Sequence, residues 1–199
     1  MRRFTKSTPS GNEFWEGQHR REHWYVDNSI YFITARCVDK YPAFRSDEAK
    51  RIFWDRAGHW SKEHGFVPIV RSLLDNHYHW IGYKKVGADL GEMMRKIHGS
   101  VAKLVNDVLL ERRVPFWKTG HDTYFDGCLR DEIQFRRTFR YVLLQAVRHR
   151  IVSDWRDYPH TRVNVELEVA LKRALQLNAF MQEVPYQRYE KCRRVRGRV

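Results

Sequence analysis

The stretch Phe66-Val67-Pro68-Ile69-Val70-Arg71-Ser72-Leu73-Leu74-Asp75-Asn76-His77-Tyr78-His79-Trp80-Ile81-Gly82-Tyr83 decides how this chain is read. A largely apolar run leads into Asp75-Asn76, a turn pair, and a second run rich in aromatic residues follows. The pattern predicts strand, tight turn, strand. Side chains on a strand repeat every two residues, so His77 and His79 share one face, and Tyr78 and Trp80 share the other. Two imidazoles side by side on a stiff strand can bind a divalent ion or a phosphate. They can equally be two ordinary half-buried histidines, and for so short and common a pattern the plainer reading leads.

Working outward, the hairpin spans roughly residues 66 to 85. Before it, Ser46-Asp47-Glu48 opens a helix from about Glu48 to His64, with Ala49, Ile52, Phe53, Ala57 and Trp60 at helical spacing and Gly65 as its stop. Earlier still, Ser29 to Arg36 is β-branched and aromatic and predicts the first strand. After the hairpin, Asp89 is placed as the N-cap of a second helix, about Leu90 to Arg112, whose Leu, Met, Ile and Val stripe reads as core. Residues 121–130 predict a short last strand. Asp131-Glu132 then opens a third helix, about Glu132 to Arg150, and a further amphipathic helix is expected from Asn164 to about Met181.

The resulting order is strand, helix, strand, strand, helix, strand, helix. It predicts an α+β protein with a ferredoxin-like βαββαβ core: a four-stranded antiparallel sheet with helices on one face, plus an extra C-terminal helix and a basic tail. Three regions follow. Residues 1–27 form a basic and aromatic arm, 28–160 the core, and 161–199 the C-terminal helix and tail.

Across 199 residues, 42% are hydrophobic and 14% aromatic, which is globular rather than disordered composition. Lys and Arg number 37 against 24 Asp and Glu, a formal charge of +13, which points to a polyanionic partner, most often nucleic acid. Three cysteines, Cys37, Cys128 and Cys192, in no regular spacing argue against a disulfide framework or a cysteine zinc site. No signal peptide and no long uncharged apolar run is seen, so the expected location is the cytoplasm, with no membrane partner.

The third helix carries Arg140-Tyr141-Val142-Leu143-Leu144-Gln145-Ala146-Val147-Arg148-His149. Tyr141 and Gln145, four apart, share one helix face. A tyrosine hydroxyl is a possible nucleophile, and Gln145 offers a carbonyl oxygen to a hard cation. Taken alone, Tyr141 reads as a core or surface tyrosine of an amphipathic helix.

Taken together, these segments resemble the HUH single-strand DNA transposases with one catalytic tyrosine, and more narrowly the REP-associated tyrosine transposases and their insertion-sequence relatives. The resemblance runs through most of the chain. It rests on the basic-aromatic start His19-Arg20-Arg21-Glu22-His23-Trp24-Tyr25, on Asn76-His77-Tyr78-His79, on Phe116-Trp117 with residues 124–132, and on Arg140 to Pro159. Asp75 stands where the family usually has Pro. Gln145-Ala146 stands where many REP-associated members have Asn-Pro, and is closer to the insertion-sequence branch.

The resemblance implies that His77, His79 and Gln145 hold Mg2+ or Mn2+. It implies that Tyr141 attacks a phosphate of single-stranded or hairpin DNA, giving a 5′-phosphotyrosine and a free 3′-hydroxyl, and that the link is later rejoined without a nucleotide cofactor. Candidate DNA contacts are Arg36, Lys84, Lys85, Arg95, Lys96, Lys103, Arg130, Arg136, Arg137, Arg140 and Arg148. The resemblance implies a monomer or a homodimer. Two other readings compete: a non-catalytic nucleic-acid-binding protein on the same scaffold, and a hydrolase using the histidines with water as nucleophile.

Overall fold

The computed structural model describes residues 25–118 and 124–180. The arm, apart from Tyr25–Asp27, and the basic tail lie outside the described residues, as do 121–123 of the expected last strand. The elements run β1 (Ser29–Arg36), α1 (Asp47–Glu63), β2 (Phe66–Leu73), β3 (His77–Lys84), α2 (Leu90–Asn106), β4 (Phe125–Cys128), α3 (Glu132–Leu143), α4 (Gln145–Arg148), β5 (Thr161–Val163) and α5 (Leu167–Gln176).

The first six elements are the expected βαββαβ core. The sheet order is β4-β1-β3-β2-β5, with every neighbouring pair antiparallel. The sheet therefore has five strands rather than four. The fifth forms because Thr161–Val163 pairs with the outer edge of β2, while the N–H groups of Asn164 and Val165 both reach the Ile69 carbonyl at 2.8 and 3.1 Å. Asn164 and Val165 were expected as the start of the last helix; their bonds to Ile69 keep them on the sheet edge, and α5 begins at Leu167.

Strand periodicity divides the core in two. Tyr31, Ile33, Tyr78 and Trp80 point to one face and are buried with Phe53 of α1 and Met94 and Ile97 of α2. Ile30, Val70 and Ile81 point to the other and are buried with Phe135, Phe139 and Val142 of α3 and Ala170 and Leu171 of α5. The two core helices thus share one face, as expected, and α3 and α5 cover the second. Gly82 makes the first layer possible: a Cβ there would lie 2.2 Å from the Phe66 ring, which crosses over β3 and packs against Trp80 at 4.9 Å.

Helix ends follow local chemistry. The Ser46 hydroxyl accepts from the Ala49 N–H at the start of α1, and Asp131 accepts from the Gln134 N–H at the start of α3. Asp89 precedes α2, but its side chain makes no cap. Its carboxylate instead pairs with Lys84 Nζ at 2.6 Å and His64 Nδ1 at 3.3 Å. Helix α2 stops at Asn106, short of Arg112, because the buried Asn106 amide binds both the N–H and the carbonyl of Arg113 and turns the chain back. Helix α5 closes with Asn178 at φ 50° and the Ala179 N–H on the Ala174 carbonyl, a left-handed C-terminal cap. Among the described residues no helix is long and apolar enough to cross a membrane.

Candidate active site

Cross-strand register builds the site floor. On β1, Arg36 lies opposite His77 and Thr34 opposite His79, all on the sheet face covered by α3. Helix α3 crosses that face and carries Tyr141 over it. The Tyr141 ring stands edge-on to His79, with centroids 5.1 Å apart, and edge-on to Phe32 at 6.1 Å. Phe32 in turn stacks on His79 at 5.9 Å with planes 7° apart.

The expected single helix from Glu132 to Arg150 is broken. It ends at Leu143, Leu144 has φ −90° and ψ 11°, and a short α4 restarts at Gln145. The Gln145 side chain turns back and its Nε2 donates to the Tyr141 carbonyl at 2.9 Å. Gln145 is fully buried, and its amide lies close enough to His79 to act on that ring. One side chain thus bonds the tyrosine's backbone and lies beside the second histidine.

The turn orients the first histidine. Asn76 Nδ2 donates to the Lys40 carbonyl at 2.9 Å, which points Asn76 Oδ1 at His77 Nδ1, 2.6 Å away. An amide oxygen can only accept, so the Nδ1 proton of His77 donates to it and Nε2 keeps its lone pair. Burial, then the neighbouring His149 and Arg36, pull the His77 pKa down to about 4. Burial, then His77 and His149, pull His79 down to about 3, against an opposing pull from Gln145. Both imidazoles are therefore neutral near pH 7, and His79 Nδ1 is buried with no hydrogen-bond partner.

Two neutral imidazoles, one with an unpartnered buried nitrogen, beside an amide are a donor set that fits a divalent ion. His149 comes close, its ring 5.1 Å from that of His77. Among the described residues, however, no three His, Cys, Asp or Glu side chains are placed to hold an ion together. His77, His79 and Gln145, the set that the resemblance implies, are the residues that would hold the ion.

The expected DNA contacts separate into groups. Arg36 lies beside His77, Arg148 lies over the Tyr141 ring at 5.3 Å, and Arg137 lines a groove with Tyr141. Arg140 is exposed next to Tyr141 on α3, and Arg130 is partly buried just before that helix. Lys84 must be withdrawn: it is buried, held by Asp89 and the His64 carbonyl. Arg136 is clamped between Glu132 and Glu168, so its charge is already matched. Arg95 and Lys96 both pair with Glu92 on α2, the helix on the opposite face of the sheet. Lys103 lies on that helix too, and Lys85 is exposed after β3. Phe32 and Asn76 are the neighbours that residue patterns missed. Once β1 is paired with β3, strand parity alone places Phe32 on the His79 face.

No family model matches the chain, and no curated protein matches it. Among solved structures, one described as a REP-associated tyrosine transposase bound to a REP hairpin matches with TM-score 0.59 at 15% identity, covering 85% of this chain and 91% of that one. A second, described as a transposase from Deinococcus radiodurans R1, matches with TM-score 0.41 at 10% identity over 63% of this chain and 94% of that one. The chain described above therefore has the fold of the REP-associated tyrosine transposase, the family that its histidine pair and tyrosine helix resemble.

Proposed function

We propose that the protein cleaves and rejoins single-stranded or hairpin DNA through Tyr141, with His77, His79 and Gln145 holding a magnesium or manganese ion. The observation that carries the reading is the convergence of these four side chains, from β3, α3 and α4, on one face of the sheet. The shared fold with a transposase bound to a DNA hairpin supports it, as does the +13 charge.

In this reaction the Tyr141 Oη forms a bond to phosphorus, the bond from phosphorus to the 3′ oxygen breaks, and that oxygen leaves as a 3′-hydroxyl. Attack by the 3′-hydroxyl reverses the step, so phosphodiester number is conserved and no nucleotide is consumed. When bound, the ion would polarise the scissile phosphate and offset its developing charge. The neutral state of both histidines leaves their nitrogens available without competition from protons. Phe32 and His79 hold the phenol ring on two sides, and Gln145 anchors its backbone, which restricts the rotations the nucleophile must lose before attack. Arg148 over the ring and Arg36 beside His77 place positive charge where a phosphate must sit. Tyr141 is 38% exposed, so a strand can reach it.

The test is incubation with labelled single-stranded hairpin DNA and manganese, followed by a denaturing gel. A covalent adduct that Tyr141→Phe abolishes is expected. Binding without cleavage would favour a non-catalytic DNA-binding protein, and cleavage surviving Tyr141→Phe would favour a hydrolase using water.

A further inference from the structure

Beside Tyr141 lies a groove of about 450 Å³ between β1, β4 and α3. Its walls include Phe32, Phe125, Gly127, Arg137 and Tyr141, and among the described residues no acidic side chain lines it. We propose that this groove seats a nucleobase of the bound single strand, stacked on Phe125, while the adjoining phosphate meets Arg137 and Tyr141. The proposal rests on the single-strand reading above and names where that strand's base goes.

Four observations carry it. Phe125 is 48% exposed although it lies on a strand of the sheet, directly opposite Thr34 and on the same face as His79. Its ring lies back over Gly127, where a Cβ would come within 3.2 Å of it, and the same ring lines the groove. The Phe32 ring stands 6.1 Å from Phe125 at 59°, and the same Phe32 stacks on His79, so Phe32 is shared between the groove and the candidate metal site. Arg137, three residues before Arg140-Tyr141 on α3, is exposed with no carboxylate within ion-pair distance among the described residues, so its charge is open to an anion. Aromatic faces beside an unmatched guanidinium are the chemistry of a base with its phosphate.

The test uses the full chain carrying Tyr141→Phe, without metal, so that binding is read apart from cleavage. Affinity is measured for an oligothymidylate and for an abasic strand of equal length and charge. The parent is expected to prefer the base-bearing strand by about 5- to 150-fold, the range for one stacked base. Phe125→Ala should narrow that ratio at least about fivefold, Phe125→Trp should keep it, and the salt dependence should be the same in all three. An unchanged ratio in Phe125→Ala overturns the proposal. So does sedimentation showing a dimer that Phe125→Ala dissociates, because the groove is then a subunit contact. Photocrosslinking of an iodouracil strand to the peptide containing Phe125 gives a second readout in the unmutated chain, and crosslinks confined to other peptides contradict it. If neither strand binds the parent, the single-strand reading itself fails.

Discussion

The Gln145 amide donates to the Tyr141 carbonyl at 2.9 Å across a break in the helix at Leu144. That bond holds a candidate nucleophile and a candidate ligand in one unit, with His79 beside it. Gln145→Leu removes the amide from a buried position, leaving the Tyr141 carbonyl without its side-chain partner. A stability loss of about 1–3 kcal/mol is expected. Manganese affinity should also fall by at least about tenfold, read by calorimetry on the folded protein. Equal manganese affinity in Gln145→Leu would remove Gln145 from the ligand set.

The Asn76–His77 bond makes a second claim. Asn76→Ala should leave the fold intact, because the Asp75 and Asn76 backbone groups still bond Phe44 and Cys37. It frees the His77 ring to rotate and change tautomer, and losses of this kind run about 10- to 100-fold in metal affinity. Titration of the variant with manganese checks this, with melting temperature as the control.

The cations of the chain should divide by their partners. Lys84→Met breaks a pair whose lysine is buried, and should cost about 1–3 kcal/mol in stability while leaving the salt dependence of DNA binding unchanged. Arg137→Gln and Arg148→Gln should do the reverse: little change in stability, and a salt slope reduced by about one phosphate contact each. Urea melts and affinities across a salt series separate the two outcomes.

Stability should fall on acidification. Burial depresses His98 to about 3, His79 to about 3 and His77 to about 4, while an unfolded histidine titrates near 6.5. Between those values the unfolded chain binds more protons than the folded one. The native state therefore loses stability as pH drops from about 6.5 towards 4, and is insensitive to these groups above about 7. For His98, fully buried against Tyr78 and Trp117, the loss at pH 5 is about 2 kcal/mol. Urea midpoints at pH 7 and pH 5 measure the total. His98→Phe should flatten part of the difference, and an unchanged slope would assign it elsewhere.

The core was legible because its signals are periodic. Alternating residues in β1, β2 and β3 and the apolar stripes of α1 and α2 each follow one element's own repeat. Elements that depend on distant partners were not. β5 is three residues long and exists because β2 offers an open edge at its bulge near Ile69. The stop of α2 depends on Asn106 finding Arg113, and the break at Leu144 on a side chain replacing a helical bond. At the candidate site, type and spacing singled out His77, His79, Tyr141 and Gln145, and the family resemblance supplied the roles expected of them. Phe32 needed the β1–β3 register. The burial of Lys84 and the pairing of Arg136 needed the positions of Asp89 and Glu168, since a basic residue in a sequence does not show whether its charge is already matched.

The most direct measurement is the identity of the residue that carries DNA during cleavage. Reacting the full chain with a hairpin single strand and manganese, trapping with denaturant and analysing the protease digest by mass spectrometry should find a nucleotide phosphate on the peptide containing Tyr141. It should be absent when Tyr141 is replaced by Phe or His79 by Ala. Strand cleavage with an unmodified Tyr141 peptide, or with the nucleotide on another residue, would contradict the assignment of Tyr141 as the nucleophile.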